Sequence, residues 1–371
     1  MARNRLLIPL LWFFLIASVF VALAYASMNW HIATRIQVEL VTDRVQFTLA
    51  SDEMKTILPS LPYQSFSVTK FSTIELSPEF LAVADPSKYI FDEDRYPADA
   101  WLRLPGVEDL QISGDQGSRL AYVSFEASDN QNDEAGKLYC VMADNNARVN
   151  IEFLENARKQ IQVDIAGTKS NLQLHVDEQT YMEVDGALPE GAGELPFHST
   201  QMRYRLKLHD HERLIQVNSH SSGLDFSLTL PENKIPITAL LQDLPVSAIE
   251  FLRQGEKGRP ESSIIGEGLL YYPDYPEIKA HKLDRFLRLE QLEKFSIREL
   301  RLDQSGKGMY IKLEGIAGIA RTGYRDFSED LTLTLYQIIQ QDIWIKILYS
   351  IVAFLASATP VAFRFYKEFW R

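Results

Sequence analysis

The feature that most constrains this sequence is an uncharged apolar run at residues 6–26, which ends at the polar Ser27. At about 21 residues, a helical run of this kind matches the roughly 30 Å hydrocarbon core of a bilayer. Arg3 and Arg5 precede it and no acidic residue does, so the positive-inside rule places this end in the cytoplasm. The run therefore predicts a cytoplasmic N-terminus and a first transmembrane helix within residues 1–29.

A cleaved signal peptide is the alternative interpretation of the same run. The triplets at residues 22–24 and 24–26 both carry small residues at their ends, as signal-peptidase sites do. The apolar core of a signal peptide usually spans about 7–15 residues, however, and this run is longer. We therefore expect the run to remain as an anchor.

A second uncharged run occupies residues 347–363. It has about 17 residues, at the short end for a spanning helix, and Lys346 can extend it by snorkelling. Basic residues follow the run and Asp342 precedes it, which predicts a cytoplasmic C-terminus and disfavours the alternative of a buried helix in a soluble core. Residues 344–371 are therefore predicted to form a second transmembrane helix with a basic tail. The predicted membrane-interface side chains are Trp344, Lys346, Arg364, Lys367 and Trp370.

The stretch between the two runs, residues 30–343, is strongly acidic. It carries 32 of the 38 basic and 49 of the 50 acidic residues, for a formal net charge of −17. Such a surface repels nucleic acid and anionic lipid head groups, so nucleic-acid binding is excluded as a function.

The number of cysteines and the absence of glycosylation sequons limit the choice of cellular compartment. Cys140 is the only cysteine, so no intrachain disulfide can form, and its strand-like surroundings predict a small buried apolar residue. No asparagine opens an Asn-x-Ser/Thr sequon. With the two apolar runs, these features predict a protein of the bacterial plasma (inner) membrane, with both termini cytoplasmic and its bulk outside the cytoplasm.

Apolar and polar residues alternate along much of residues 30–343, which is typical of strands with one buried and one solvated face. Two alternating arms at residues 33–50 flank residues 42–44 and predict a hairpin, and a second hairpin is predicted across residues 303–308. The spacing predicts a mainly β fold, either an antiparallel sandwich or jelly roll or an open β-stack. Further predicted strands cover residues 65–76, 107–113, 120–127, 138–143, 149–153, 160–165, 171–176, 203–208, 214–217, 224–230, 263–271, 296–302, 309–315 and 331–336.

The proline-flanked segment at residues 231–236 predicts a soft boundary between a β-rich domain over 30–230 and a second β-rich part over 231–343. A single continuous β domain is the alternative.

Within the second part, one helix is predicted over residues 237–254. Ile237, Leu240 and Leu244 fall on one face at helical spacing before Pro245 interrupts the pattern. Residues 283–292 fit an interaction helix or a long edge strand equally well, so both assignments stay open.

Three polar clusters are candidates for chemical sites. His209 and His211 sit at i and i+2 and would share a strand face, but a zinc site needs more ligands than this pair, so a polar turn is the preferred interpretation. The oxygen-rich segment at residues 129–134 lacks the glycine and glutamate spacing of an EF-hand and is interpreted as a solvated loop rather than a calcium site. Residues 219–223 contain serine and histidine, but a triad is recognised only by its geometry.

No catalytic motif stands out, since the sequence has no Gly-x-Ser-x-Gly elbow, no His-Glu-x-x-His and no phosphate-binding glycine loop. We therefore do not expect an enzyme, and no cofactor is predicted.

The aromatic segment at residues 271–276 is the one candidate ligand site. Prolines stiffen it, and exposed rings of Tyr271, Tyr272 and Tyr275 would stack on sugars or dock a peptide. The alternative is a rigid loop whose tyrosines pack on the neighbouring sheet.

These features lead to three hypotheses about function. The first is a non-enzymatic scaffold or adaptor of the cell envelope, with the lipid bilayer and envelope proteins as partners. The second is a module that binds glycan or lipid, through the tyrosines or through an apolar groove. The third is a hydrolase without a recognisable motif.

Overall fold

The computed structural model describes residues 18, 22, 25–51, 53–58, 60–76, 81–84, 110–113, 115–116, 119–120, 122–126, 136–155, 159–166, 170–176, 181–185, 201–207, 213–219, 223–231, 240–255, 259–283, 286–303, 306–323 and 328–341. The predicted strand content is confirmed, because 27 strands account for most of this part of the chain, beside one short helix and a helical segment at residues 25–29.

The first strands are β1 Thr34–Thr42, β2 Arg44–Leu49, β3 Lys55–Leu58, β4 Leu61–Tyr63, β5 Ser65–Val68, β6 Phe71–Leu76, β7 Leu81–Ala84, β8 Leu110–Ser113, β9 Asp115–Gln116, β10 Arg119–Leu120, β11 Tyr122–Glu126, β12 Gly136–Ala143, β13 Arg148–Glu155 and β14 Lys159–Ala166. The remaining strands are β15 Ser170–Val176, β16 Tyr181–Asp185, β17 Gln201–Lys207, β18 Arg213–Ser219, β19 Leu224–Thr229, β20 Leu241–Glu250, β21 Leu252–Gln254, β22 Pro260–Ser262, β23 Gly268–Tyr271, β24 His281–Leu283, β25 Leu287–Leu302, β26 Met309–Thr322 and β27 Glu329–Asp330. The helix α1 spans Leu335–Gln341.

Two large antiparallel sheets contain most of these strands. The larger has 16 strands in the order β24-β23-β1-β26-β25-β20-β2-β13-β14-β19-β5-β11-β16-β17-β7, with β27 beside β26. The smaller has seven strands in the order β3-β12-β15-β18-β6-β8, with β4 beside β12. Both sheets contribute to one buried apolar core, which includes a stacked pair, Phe66 and Phe226, with ring centroids 5.4 Å apart.

The predicted hairpin at residues 33–50 is wrong in its pairing, although both of its strands are present. β1 pairs with β23 and β26, whereas β2 pairs with β13 and β20. Only Asp43 separates β1 from β2, and the backbone N–H of Asp43 donates to the carbonyl of Ser263 instead of closing a turn. Because the path β1-β26-β25-β20-β2 starts and ends on one run of chain, this part of the sheet curls back on itself.

The second predicted hairpin is confirmed. β25 and β26 pair from Leu302 and Met309 at the turn to Leu287 and Thr322 at the open end. Gly306 sits in the turn at φ 69°, a left-handed conformation that glycine adopts without steric cost. The same strands settle the open assignment of residues 283–292, since β25 lies between β26 and β20 rather than at an edge.

The predicted helix over residues 237–254 is wrong, because Leu241–Glu250 form strand β20. Its buried residues are Leu241, Leu244, Val246 and Ile249, a spacing of three, two and three that imitates a helix. Asp243 has φ 49°, and the pairing of β20 with both neighbours shifts register. Such irregularities insert residues into a strand and so disturb its period of two.

The strand predicted at residues 331–336 is also wrong, because β27 ends at Asp330, only an isolated bridge forms at Thr334, and α1 begins at Leu335. Thr334 caps this helix, since its Oγ1 accepts from the backbone N–H of Gln337 at 3.3 Å, and Oε1 of Gln337 accepts from the backbone N–H of Thr334 at 2.9 Å. This reciprocal arrangement is a capping box, and its Thr-x-x-Gln signature is visible in the sequence.

A line of ion pairs crosses the outer face of the curled region. Glu314 on β26 accepts from Arg35 on β1 and from Nε of Arg298 on β25 at 2.9 Å. Nη1 of Arg298 also donates to Asp243 on β20 at 2.8 Å. Four neighbouring strands are therefore tied together by one charged network.

Candidate functional site

The two ends of the β structure meet at one point. The backbone N–H of Ile32 donates to the carbonyl of Leu333 at 3.0 Å, and that of Leu335 donates to the carbonyl of Trp30 at 2.8 Å. These bonds flank an antiparallel bridge between His31 and Thr334. We call residues 30–32 and 333–335 the exit pair, because the sequence continues from them toward the two apolar runs.

Helical segments adjoin the exit pair on both sides. Residues 25–29 are helical and precede it, and α1 follows it. Tyr25, Met28 and Trp30 are 70%, 52% and 64% exposed, although large apolar side chains usually lie inside a fold. Exposed apolar and aromatic side chains are therefore concentrated next to the exit pair.

The predicted membrane helices are mostly outside the described residues. No helix within the described part of the chain is both long and apolar enough to cross a membrane. The interface residues Trp344, Lys346, Arg364, Lys367 and Trp370 all lie outside that part, so their roles stay predictions.

A second feature adjoins the exit pair, a cleft of about 570 Å³ between the end of β20 and the start of β25. Its apolar lining includes Ile249, Phe251, Leu287 and Leu289, which are buried at 4%, 1%, 7% and 7% exposure. A volume of this size falls within the roughly 300–1,000 Å³ typical of small-ligand pockets.

The cleft exists because β20 and β25 separate. The two strands pair from Leu241 to Pro245 and again only at Glu250, opposite Arg288. In between, Gln291 and Lys294 on β25 adopt φ values of 55° and 49°, which bulge the strand away from its neighbour. These bulges explain why sequence reasoning missed the cleft, since nothing in local periodicity marks them.

The rim of the cleft carries balanced charge. Arg288 forms an ion pair with Glu290, and Arg321 forms one with Asp330 at 3.6 Å. Glu250 completes the rim and lies 3.8 Å from Arg148.

A chain of charged and polar side chains joins the cleft to the exit pair. Asp330 bridges the two, with its carboxylate 3.6 Å from Nε of Arg321 and 3.9 Å from Nε2 of His31. Burial raises the pKa of this carboxyl, but hydrogen bonds from Thr332 and the charges of His31 and Arg321 outweigh burial, so the pKa lies below its ordinary value. Asp330 is therefore held ionised at neutral pH, where it can fix the position of Arg321.

The three tyrosines of the predicted ligand site differ in how deeply they are buried. Tyr272 is 2% exposed, and its hydroxyl donates to the carbonyl of Leu331, so its ring is a structural element and does not stack on a ligand. Burial, together with the charges of Asp330 and Glu329, raises the pKa of the Tyr272 hydroxyl. Tyr275 packs partly buried against the core, and Tyr271 is half-buried on β23. Ligand binding by Tyr271 and Tyr275 stays a prediction.

The other candidate sites are not brought together by the described residues. His209, His211 and the segment at residues 129–134 lie outside them. Within the described ranges, no group of three or more His, Cys, Asp or Glu side chains could hold a metal ion. Cys140 is half-buried on β12, and its Sγ lies 3.6 Å from Oε1 of Gln173. Burial raises the pKa of the Cys140 thiol.

Comparisons with known proteins give no match. No family model fits the sequence, and no curated protein or solved structure is significantly similar to it. Function is therefore inferred from the chain's own geometry.

Proposed function

We propose that this chain is a membrane-anchored protein of the bacterial plasma membrane, in which a β-sandwich domain outside the cytoplasm acts as a non-enzymatic scaffold or adaptor for envelope proteins. The two apolar runs at residues 6–26 and 347–363 are its anchors in this proposal.

The observation that supports it best is the exit pair. Two helices that pack against each other in one bilayer leave it side by side and join the soluble domain close together. The structure has this proximity at the exit pair. Its two backbone hydrogen bonds, from Leu335 to Trp30 and from Ile32 to Leu333, have N···O distances of 2.8 and 3.0 Å. An aromatic side chain at the membrane–water interface is common, and the exposed Trp30 and Tyr25 suit such a position.

The shared core supports the scaffold role. Buried residues from β1, from the β25–β26 hairpin and from the seven-stranded sheet all belong to one apolar cluster. A domain with a continuous core moves as one body and holds bound partners in fixed relative positions. The acidic surface of residues 30–343 would favour partners with basic patches.

Cysteine labelling in intact cells tests the topology. Cys140 is first replaced by serine, and single cysteines are then introduced as Ala2→Cys and Glu277→Cys; Glu277 is exposed in the structure. A membrane-impermeant maleimide added after the outer envelope is opened should label the cysteine at 277 but not that at 2. Labelling at 2 should appear only after the plasma membrane is permeabilised. Early labelling at 2, or release of the protein by alkaline carbonate, would overturn the proposal.

Cross-linking from the exposed surface tests the scaffold role. A photoreactive amino acid at position 277 should trap defined envelope proteins in living cells. A separate turnover assay on the purified protein, with envelope glycans and lipids as substrates, should detect no product. Hydrolysis of an envelope glycan or lipid by the full chain would contradict a non-enzymatic role.

A further inference from the structure

From the cleft beside the exit pair, we propose that this protein binds a single membrane phospholipid, with one acyl chain inside the cleft and the phosphate at Arg288 and Arg321. This inference rests on the proposed membrane anchoring.

The lining of the cleft fits an acyl chain. Ile249, Leu287 and Leu289 present aliphatic side chains, and Phe251 adds an aromatic one. Leu252, also part of the lining, is 39% exposed and is the only large exposed apolar residue of the described chain away from residues 25–30. Burying such surface against a hydrocarbon chain removes it from water and is therefore favourable.

The charge of the rim selects the head group. Arg288 and Arg321 supply guanidinium groups, which bind phosphate through paired hydrogen bonds. Glu290 and Glu250 lie on the same rim and would meet a positive group. A zwitterionic head group with a phosphate and an ammonium matches both signs, whereas an anionic head group would also face the acidic surface of the domain.

The position of the cleft indicates that its ligand comes from the membrane. Arg321 is linked through Asp330 to His31, next to the exit pair, by contacts of 3.6 and 3.9 Å. If the apolar runs cross the bilayer, the cleft therefore lies beside the lipid head groups.

The test uses full-length protein reconstituted in vesicles of phosphatidylethanolamine that carry a diazirine on one acyl chain. After illumination, cross-linked peptides are mapped by mass spectrometry. We expect label in the segments around residues 248–252 and 286–290, and also in the two apolar runs.

A blocking variant makes the cleft assignment specific. Ala248 is exposed and lines the cleft, so Ala248→Trp should fill it without removing a core side chain. The matched control is Ser247→Trp, at the exposed neighbouring position outside the lining. Ala248→Trp should reduce cleft labelling at least fivefold, while Ser247→Trp leaves it unchanged. Equal labelling in Ala248→Trp and the wild type would overturn the proposal.

The head-group assignment has its own pair of variants. Arg288→Gln should lower cleft labelling by the phospholipid probe but not by a diacylglycerol probe that lacks phosphate. Lys282→Gln, at an exposed site that pairs with Glu267, serves as the charge control. An equal effect of Arg288→Gln on both probes would overturn the role of the phosphate.

The labelling pattern separates the two proposals. Label in the apolar runs but not in the cleft leaves the anchoring intact and rejects the lipid site. Label that is missing from the apolar runs rejects the anchoring itself.

Discussion

Gly315 on β26 lies against Phe295 on β25 so closely that a side chain at residue 315 would meet the Cα and the ring of Phe295, with Cγ at 2.8 Å. Phe295 is itself buried at 2% exposure and follows the left-handed Lys294. The bulge in β25 and the missing side chain in β26 thus fit each other, and together they bend the hairpin that forms one wall of the cleft.

The first prediction concerns this fit. Gly315→Ala should destabilise the protein by about 2 kcal/mol, because the new methyl group meets backbone that cannot move aside. Thermal unfolding of the full-length protein in a non-ionic detergent measures the change. The control is Gly266→Ala, where a Cβ has open space but φ is +78°, so only a backbone strain of about 1 kcal/mol is expected. A larger loss of stability in Gly266→Ala than in Gly315→Ala would contradict the close contact at Gly315.

The geometry of the exit pair predicts that two engineered cysteines there will form a disulfide. His31 and Thr334 form a bridge whose hydrogen bonds lie on either side of it, and in such pairs the Cα atoms are about 4.5 Å apart. That separation is within the range of disulfides. In a Cys140→Ser background, His31→Cys combined with Thr334→Cys should therefore form a cross-link that changes mobility on non-reducing gels. The single-cysteine variants should show no shift, and a double variant that stays reduced under mild oxidant would contradict the exit pair.

Acid should weaken the ion-pair network around Glu314. Burial raises the pKa of its carboxyl, but the hydrogen bonds and charges of Arg35 and Arg298 outweigh burial and lower the pKa in the folded state. A folded-state pKa below the unfolded one adds stability at pH values above the ordinary glutamate pKa of about 4.3, and that stability is lost as pH falls through the folded-state value.

Glu314→Gln should accordingly cost about 1 kcal/mol at pH 7 and less at pH 3, where the wild type has begun to lose the same contribution. Unfolding midpoints at both pH values measure this difference. Glu267→Gln, which removes an exposed ion pair with Lys282, provides the control and should change little at either pH. Equal costs for Glu314→Gln at pH 7 and pH 3 would argue against the lowered pKa.

The two adjacent tyrosines should differ sharply. Tyr272→Phe removes the only side-chain donor to the carbonyl of Leu331 that the described contacts include, and should cost about 1–2 kcal/mol. Tyr271→Phe, at a half-buried position, should cost less than about 0.5 kcal/mol. Thermal unfolding of the two variants compares them directly. If the two substitutions were equivalent, the structural role of Tyr272 would be wrong.

Where strands occur was largely predictable, because burial on one face imposes a period of two on β1, β13 and β14, whose buried and half-buried residues alternate. The short strands β3, β4, β7 and β16 escaped prediction, since a few residues do not establish a period. The helix α1 was missed although its capping box, Thr334 and Gln337, was visible; the apolar residues before it concealed the change of structure.

The sequence by itself determined the strand-forming segments, the acidic character of residues 30–343 and the two apolar runs, because composition and periodicity are local properties. The tertiary structure decided which strands pair. It separated β1 from β2, turned a helix-like spacing in β20 into a bulged strand and brought Trp30 beside Leu335, some 300 residues away in the chain. The physical reason is that backbone hydrogen bonds are the same for every partner, so the choice of partner depends on how distant side chains pack together in one core.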